Sequence, residues 1–171
     1  MFEEFFGSES VDVGKGLAIA ADLERRSIRY YEANAARAGQ GYGRRLFEFL
    51  AREEKKHLAA VQALAAQAGK GAARWAEARA SAQPGVFKGF LETRAGAEVA
   101  MPDSVTAAAQ AAETESMEFY ERLAAREQDR EAKKFFKAMA AFEKTHFELL
   151  AGLYELGRAR VESAGYPGDF I

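Results

Sequence analysis

The chain holds two histidines in 171 residues, His57 and His146, and each stands three residues after a glutamate. The two segments read Glu54-Lys55-Lys56-His57 and Glu143-Lys144-Thr145-His146. On a helix the i, i+3 spacing brings both side chains to one face. A carboxylate beside an imidazole is a pair of metal donors, and oxygen-rich ligation with one nitrogen per ion suits iron or manganese. There is no cysteine, which excludes disulfides, thiolate zinc or iron–sulfur sites and a cysteine nucleophile. A single Glu-x-x-His is a weak motif, most often an accident of a solvated face. Its weight here comes from the second copy and from where the two copies fall.

Shifting the sequence by 89 residues aligns residues 17–61 with 106–150 without a gap, and 14 of the 45 positions are identical. Composition alone would give about four. Glu24 falls on Glu113, Ser27 on Ser116, Tyr31 on Tyr120, Glu32 on Glu121, Glu54 on Glu143 and His57 on His146. The chain therefore reads as two copies of one helical hairpin.

Elements that could position these residues follow from composition. Thirty-seven alanines, three prolines and 49% hydrophobic residues predict an all-α chain of one domain, residues 1–171. A first helix is expected from Ser8 or Ser10 to about Ala38, and a second from Tyr42 to Ala68, with Gly39-Gln40-Gly41 as the turn between them. This first hairpin spans about 10–68. A connection over 70–102, with room for a short helix of its own, leads to the second hairpin, about 103–157. That hairpin turns near Gln128-Asp129, and 158–171 reads as a tail. The expected architecture is a four-helix bundle with one long crossover.

Packed helices bury residues spaced alternately by three and four. That seam reads Leu17, Ala21, Glu24, Ile28, Tyr31, Ala35, Ala38 in the first helix and Phe47, Leu50, Glu54, His57, Val61, Leu64 in the second. In the fourth it reads Phe136, Met139, Glu143, His146, Leu150, Leu153, and in the third Gln110, Glu113, Met117, Tyr120, Ala124. Glu24 and His57 are equidistant from the first turn, as Glu113 and His146 are from the second, so each hairpin gathers its polar groups at one height. Four carboxylates in an apolar layer would be unfavourable by several kcal/mol per uncompensated ion. Two divalent cations would neutralise them. Glu32, Glu53, Glu115 and Glu118 are expected to face solvent. Ser27 and Ser116 are expected to pack as small residues. Phe2, Phe5 and Phe6 read as a docking patch or an unstructured tag.

With these motifs in place the chain resembles the rubrerythrin family of the ferritin-like di-iron carboxylate superfamily. The resemblance covers roughly residues 10–160. It rests on Glu24 with Tyr30-Tyr31, on Glu113 with Phe119-Tyr120, and on the two Glu-x-x-His motifs. It implies a ferritin-like bundle in which Glu24, Glu54, His57, Glu113, Glu143 and His146 bind two iron ions, with manganese or zinc as alternatives. Glu54 and Glu143 would bridge, and Tyr31 and Tyr120 would support the ligands by hydrogen bonding. Rubrerythrins typically carry a cysteine-ligated rubredoxin module, and this chain has none. Many also place a further carboxylate where this chain has Ser116.

The implied activity is reduction of hydrogen peroxide or dioxygen, with electrons from a separate donor protein. The alternatives are iron oxidation and storage of the bacterioferritin type, and a non-enzymatic metal-stabilised bundle or metal sensor. Against haem binding of the bacterioferritin type, Lys55 stands where a methionine would be needed. A homodimer is the expected assembly. With 24 basic and 26 acidic residues and no basic stripe, nucleic acid is not an expected partner. The longest uncharged run, Leu58 to Gly69, is too short to cross a bilayer. The acidic start Met1-Phe2-Glu3-Glu4 is unlike a signal peptide, so a cytoplasmic location is expected.

Overall fold

In the computed structural model, the described residues are 6–7, 12–66, 73–83 and 103–163. Among them there is no strand, and five helices appear: α1 (Val13–Arg37), α2 (Tyr42–Ala66), α3 (Ala73–Ser81), α4 (Asp103–Arg126) and α5 (Arg130–Ser163). The chain is all-α, as composition predicts. None of these helices is long and apolar enough to cross a membrane.

Helix ends are set by short side chains that satisfy free backbone groups. Asp12, rather than Ser8 or Ser10, caps α1, and its carboxylate accepts from the N–H groups of Gly14 and Lys15 at 2.8 and 3.2 Å. A carboxylate also gains from the positive end of the helix dipole, which a serine does not. Ser8 and Ser10 lie outside the described residues, as do 67–72 beyond α2.

At the second turn Glu127 accepts from the N–H groups of Gln128 and Asp129, and Asp129 caps α5 through Glu131 and Ala132 at 2.9 and 2.8 Å. Replacing Asp129 with alanine is expected to lower stability by about 1 kcal/mol. That would lower the melting temperature by roughly 2–4 °C, and an unchanged melting curve would show that the cap carries nothing.

α5 continues to Ser163, past the end of the second hairpin expected near 157. Gly157 does not end it, because one interior glycine costs only about 1 kcal/mol relative to alanine. The tail expected over 158–171 is therefore helical through Ser163, and 164–171 lie outside the described residues.

The two hairpins, α1 with α2 and α4 with α5, pack face to face with their turns at opposite ends. The apolar core falls into two clusters. One, at the α4–α5 turn, includes Leu17, Val61, Leu64, Leu123, Phe135 and Met139. The other, at the α1–α2 turn, includes Tyr42, Phe47, Leu50, Ala109, Leu150 and Leu153. Between them lies the layer of buried glutamates and histidines. α2 ends at one end of the bundle and α4 begins at the other, and α3 lies in the connection between them. Trp75 of α3 is buried against Phe135 and Phe136, with ring centroids 5.8 and 5.7 Å away.

Three expectations about individual residues change. The α4 seam is rotated: Ala109 and Ser116 are buried while Gln110 and Met117 are only half-buried, although Glu113 and Tyr120 keep their places. Ala38 is likewise only half-buried. Phe6 is neither a free patch nor a loose tag. It is buried against Phe119 at 5.7 Å, Arg122 lies over its ring at 4.2 Å, and Arg126 donates to its carbonyl. Phe2 and Phe5 lie outside the described residues.

Candidate metal centre

Each helix of the two hairpins delivers its seam donors to the layer between the two clusters. Glu24 comes from α1, Glu54 and His57 from α2, Glu113 from α4, and Glu143 and His146 from α5, and all six are at most 1% exposed. Ligand atoms of Glu54, His57, Glu143 and His146 lie within 4.8 Å of one another. The imidazoles stack at 5.3 Å between centroids, and Phe142 also stacks on His57 at 5.6 Å.

The distances repeat across the pseudo-two-fold relation between hairpins. His57 Nδ1 faces Glu54 Oε2 and Glu143 Oε1, both at 3.3 Å, and Glu24 Oε2 at 3.9 Å. His146 Nδ1 faces Glu54 Oε1 at 2.9 Å, Glu143 Oε2 at 3.6 Å and Glu113 Oε2 at 3.7 Å. Glu54 and Glu143 thus each turn one oxygen to one histidine and the other oxygen to the second. Glu24 and Glu113 each serve a single histidine.

The tyrosines are arranged crosswise. Tyr31 of the first hairpin donates to Glu113 Oε1 of the second, and Tyr120 of the second donates to Glu24 Oε1 of the first. Seven residues along one helix rise about 10.5 Å, too far for a tyrosine to support the glutamate of its own helix. The antiparallel neighbour brings the other glutamate alongside. Replacing Tyr31 or Tyr120 with phenylalanine would leave a buried carboxylate oxygen without its donor, at a cost of about 1–3 kcal/mol. Chemical denaturation measures this, and two neutral variants would dismiss the crosswise bonds as incidental.

Burial raises the Glu24 and Glu113 carboxyls well above the ordinary carboxylate range, and the neighbouring charges of Glu143 and Glu54 on Glu24, and mainly Glu54 on Glu113, push the same way. Burial alone would raise Glu54 and Glu143 too, but the two histidines that face them outweigh it and hold both low. Burial would lower the histidines, yet the facing carboxylates outweigh it. His57 is pushed up to about 9, and His146 also lies well above its usual value. Burial and the adjacent glutamates raise both tyrosines and keep them protonated.

Without metal the shifts run towards a neutral layer: those of Glu24 and Glu113 favour the protonated form, those of Glu54 and Glu143 the carboxylate, and those of the histidines the imidazolium. Two divalent cations with four carboxylates and two neutral imidazoles make a neutral layer as well. The donor set fits such ions. His57 Nδ1, Glu54 Oε2, Glu113 Oε2 and Glu143 Oε1 are buried with no hydrogen-bond partner, and buried polar atoms are normally satisfied.

Two surrounding groups were not evident from the sequence. Glu53 does not face solvent; it is 2% exposed, and Lys56 pairs with it at 2.7 Å. It shares a flank of α2 with Leu46, Phe49 and Ala60, a spacing that signals its burial. Phe142, stacked on His57, occupies the repeat position of Glu53. Glu32, Glu115 and Glu118 are exposed, and Ser27 and Ser116 are buried, as expected.

A family model described as Rubrerythrin matches residues 15–154. Comparisons with curated proteins and with solved structures find no match. The matched stretch takes in α2 and α4 whole, nearly all of α1 and most of α5, with all six converging glutamates and histidines and both crosswise tyrosines, and the chain belongs to the rubrerythrin family of the ferritin-like superfamily.

Proposed function

We propose that this protein is a di-iron oxidoreductase that reduces hydrogen peroxide with electrons from a separate donor protein. The observation that carries the reading is the two-faced placement of Glu54 and Glu143 between His57 and His146. Glu24, His57 and the two shared glutamates would hold one ion, and Glu113, His146 and the same two glutamates the other. Bound there, two ferrous ions supply the two electrons that, with two protons, convert one peroxide to two waters.

The chain's own residues set the conditions. Tyr31 and Tyr120 hold Glu113 and Glu24 in place by donating to one oxygen of each. The apolar clusters on either side exclude water and strengthen every charge interaction in the layer. The near-equivalence of the two positions favours a two-electron reaction over passage of iron through one of them.

The reading predicts that ferrous-loaded protein reacts much faster with hydrogen peroxide than with dioxygen, keeps its iron, and can be reduced again. Stopped-flow absorbance followed by an iron count on desalted protein tests it. Preference for dioxygen with many ferric ions accumulating per chain would overturn it in favour of storage of the bacterioferritin type. Absence of peroxide turnover with an added reductant would leave a metal-stabilised bundle or sensor. A cytoplasmic homodimer belongs to the same proposal, and solution mass separates a dimer from a storage shell.

A further inference from the structure

The two hairpins share a sequence pattern but not a surface. Between α4 and α5 lies a groove of about 550 Å³, with Met117, Ala124 and Ala140 at its floor and Glu121, Lys137 and Lys144 at its rim. The corresponding positions of the first hairpin are Ile28, Ala35, Ala51, Glu32, Glu48 and Lys55. There Lys55 and Glu32 join at 2.6 Å, across the seam between α1 and α2. Glu48 is engaged by Arg44 at 2.9 Å.

In the second hairpin, among the described residues, no ion pair joins Glu121 to Lys144. Lys144 turns instead to Glu148 at 3.7 Å. Lys137 stands where the other hairpin has Glu48, seven residues from the like-charged Lys144. Ala141, which also lines the groove, stands where the other hairpin has Arg52. The floor follows suit: Ile28 is buried, whereas Met117 is only half-buried.

The groove also lies close to the metal layer. Met117 is one helical turn beyond Glu113 on the flank of α4 that faces α5, and Ala140 and Lys144 stand on either side of Glu143 in α5. Met117 is the one apolar side chain larger than alanine that lines the groove, and methionine is the most adaptable of the apolar residues.

We infer that the groove between α4 and α5 is the entrance by which a small neutral oxidant reaches the centre, and that Met117 gates it. The inference rests on the peroxide-reducing reading, and its test is arranged so that the two can fail separately. The probes are nitric oxide, a small neutral molecule whose binding to the ferrous-loaded protein is read by absorbance without any turnover, and hydrogen peroxide. Joining Ala141→Arg with Lys137→Glu at these surface positions reproduces the residues of the first hairpin and should close the groove. Both association rates should then fall by about tenfold, while Met117→Ala raises both. Arg52→Ala, on the exposed face of the first hairpin, should leave both unchanged. Melting curves confirm that the variants are folded.

Nitric oxide rates that ignore the groove variants would overturn the entrance, as would an Arg52→Ala effect of equal size. Nitric oxide rates that follow the pattern while peroxide fails to react would sustain the entrance and remove the peroxide reading.

Discussion

Metal-free protein should melt at its highest temperature near pH 5 and progressively lower towards pH 9, while metal-loaded protein changes little over the same range. Glu24 and Glu113 have raised folded pKa values. Their stabilising contribution is complete below the unfolded value of about 4.3 and is lost as pH rises through the folded values. The histidines add to this. Their contribution is complete below an unfolded pKa of about 6.5, and that of His57 is lost as pH rises through about 9. Glu54 and Glu143 act in the other direction, because their lowered values make their contribution present above about 4.3 and lost in stronger acid.

Each group that holds a proton only in the folded state gives a slope of about 1.4 kcal/mol per pH unit. Metal replaces those protons, so the loaded protein escapes the slope. Loading should also release up to four protons, two from glutamates and two from histidines, which an indicator dye in weak buffer can count. A flat metal-free profile between pH 5 and 9, or identical melting with and without metal, would contradict the neutral-layer account.

The second large effect separates shared donors from unshared ones. Glu54→Ala should abolish binding of both ions, because Glu54 faces both histidines. Glu24→Ala or His57→Ala should weaken one ion and spare the other, and so should Glu113→Ala or His146→Ala at the opposite position. Anaerobic reconstitution with ferrous iron followed by metal analysis reads this directly. Wild-type protein should hold two ions per chain, the unshared variants about one, and Glu54→Ala close to none. Helical content should persist throughout, since the two apolar clusters remain. Equal losses for Glu24→Ala and Glu54→Ala would remove the distinction on which the paired site depends.

The convergence of the four glutamates and two histidines was legible because the features that place them are local. Helical spacing aligns each Glu-x-x-His, and equal distance from a turn sets the height of Glu24 with His57 and of Glu113 with His146. What depends on how hairpin meets hairpin was not legible. The tyrosines could be put on the right stripe, but their partners follow from the antiparallel docking of α1 on α4. The phase of α4 was obscured by Ala107, Ala108, Ala109, Ala111 and Ala112, which give no polar contrast to read. Glu53 was misplaced because a charged residue between Arg52 and Glu54 looks solvated, although its flank is otherwise apolar. At the start of α1 three good capping residues fall within five positions, and Asp12 is the one adjoining the helix.

The crosswise tyrosines bear on ancestry. Each hairpin carries one unshared glutamate, one Glu-x-x-His and the phenol that the opposite hairpin's glutamate requires. No hairpin can finish its own half. A forerunner with a single copy would have completed the layer only by meeting a twin about a two-fold axis, so duplication and fusion would have preserved an assembly that already worked. Two copies in one chain are also free to differ, as they do where Phe142 stands opposite Glu53 and Met117 opposite Ile28.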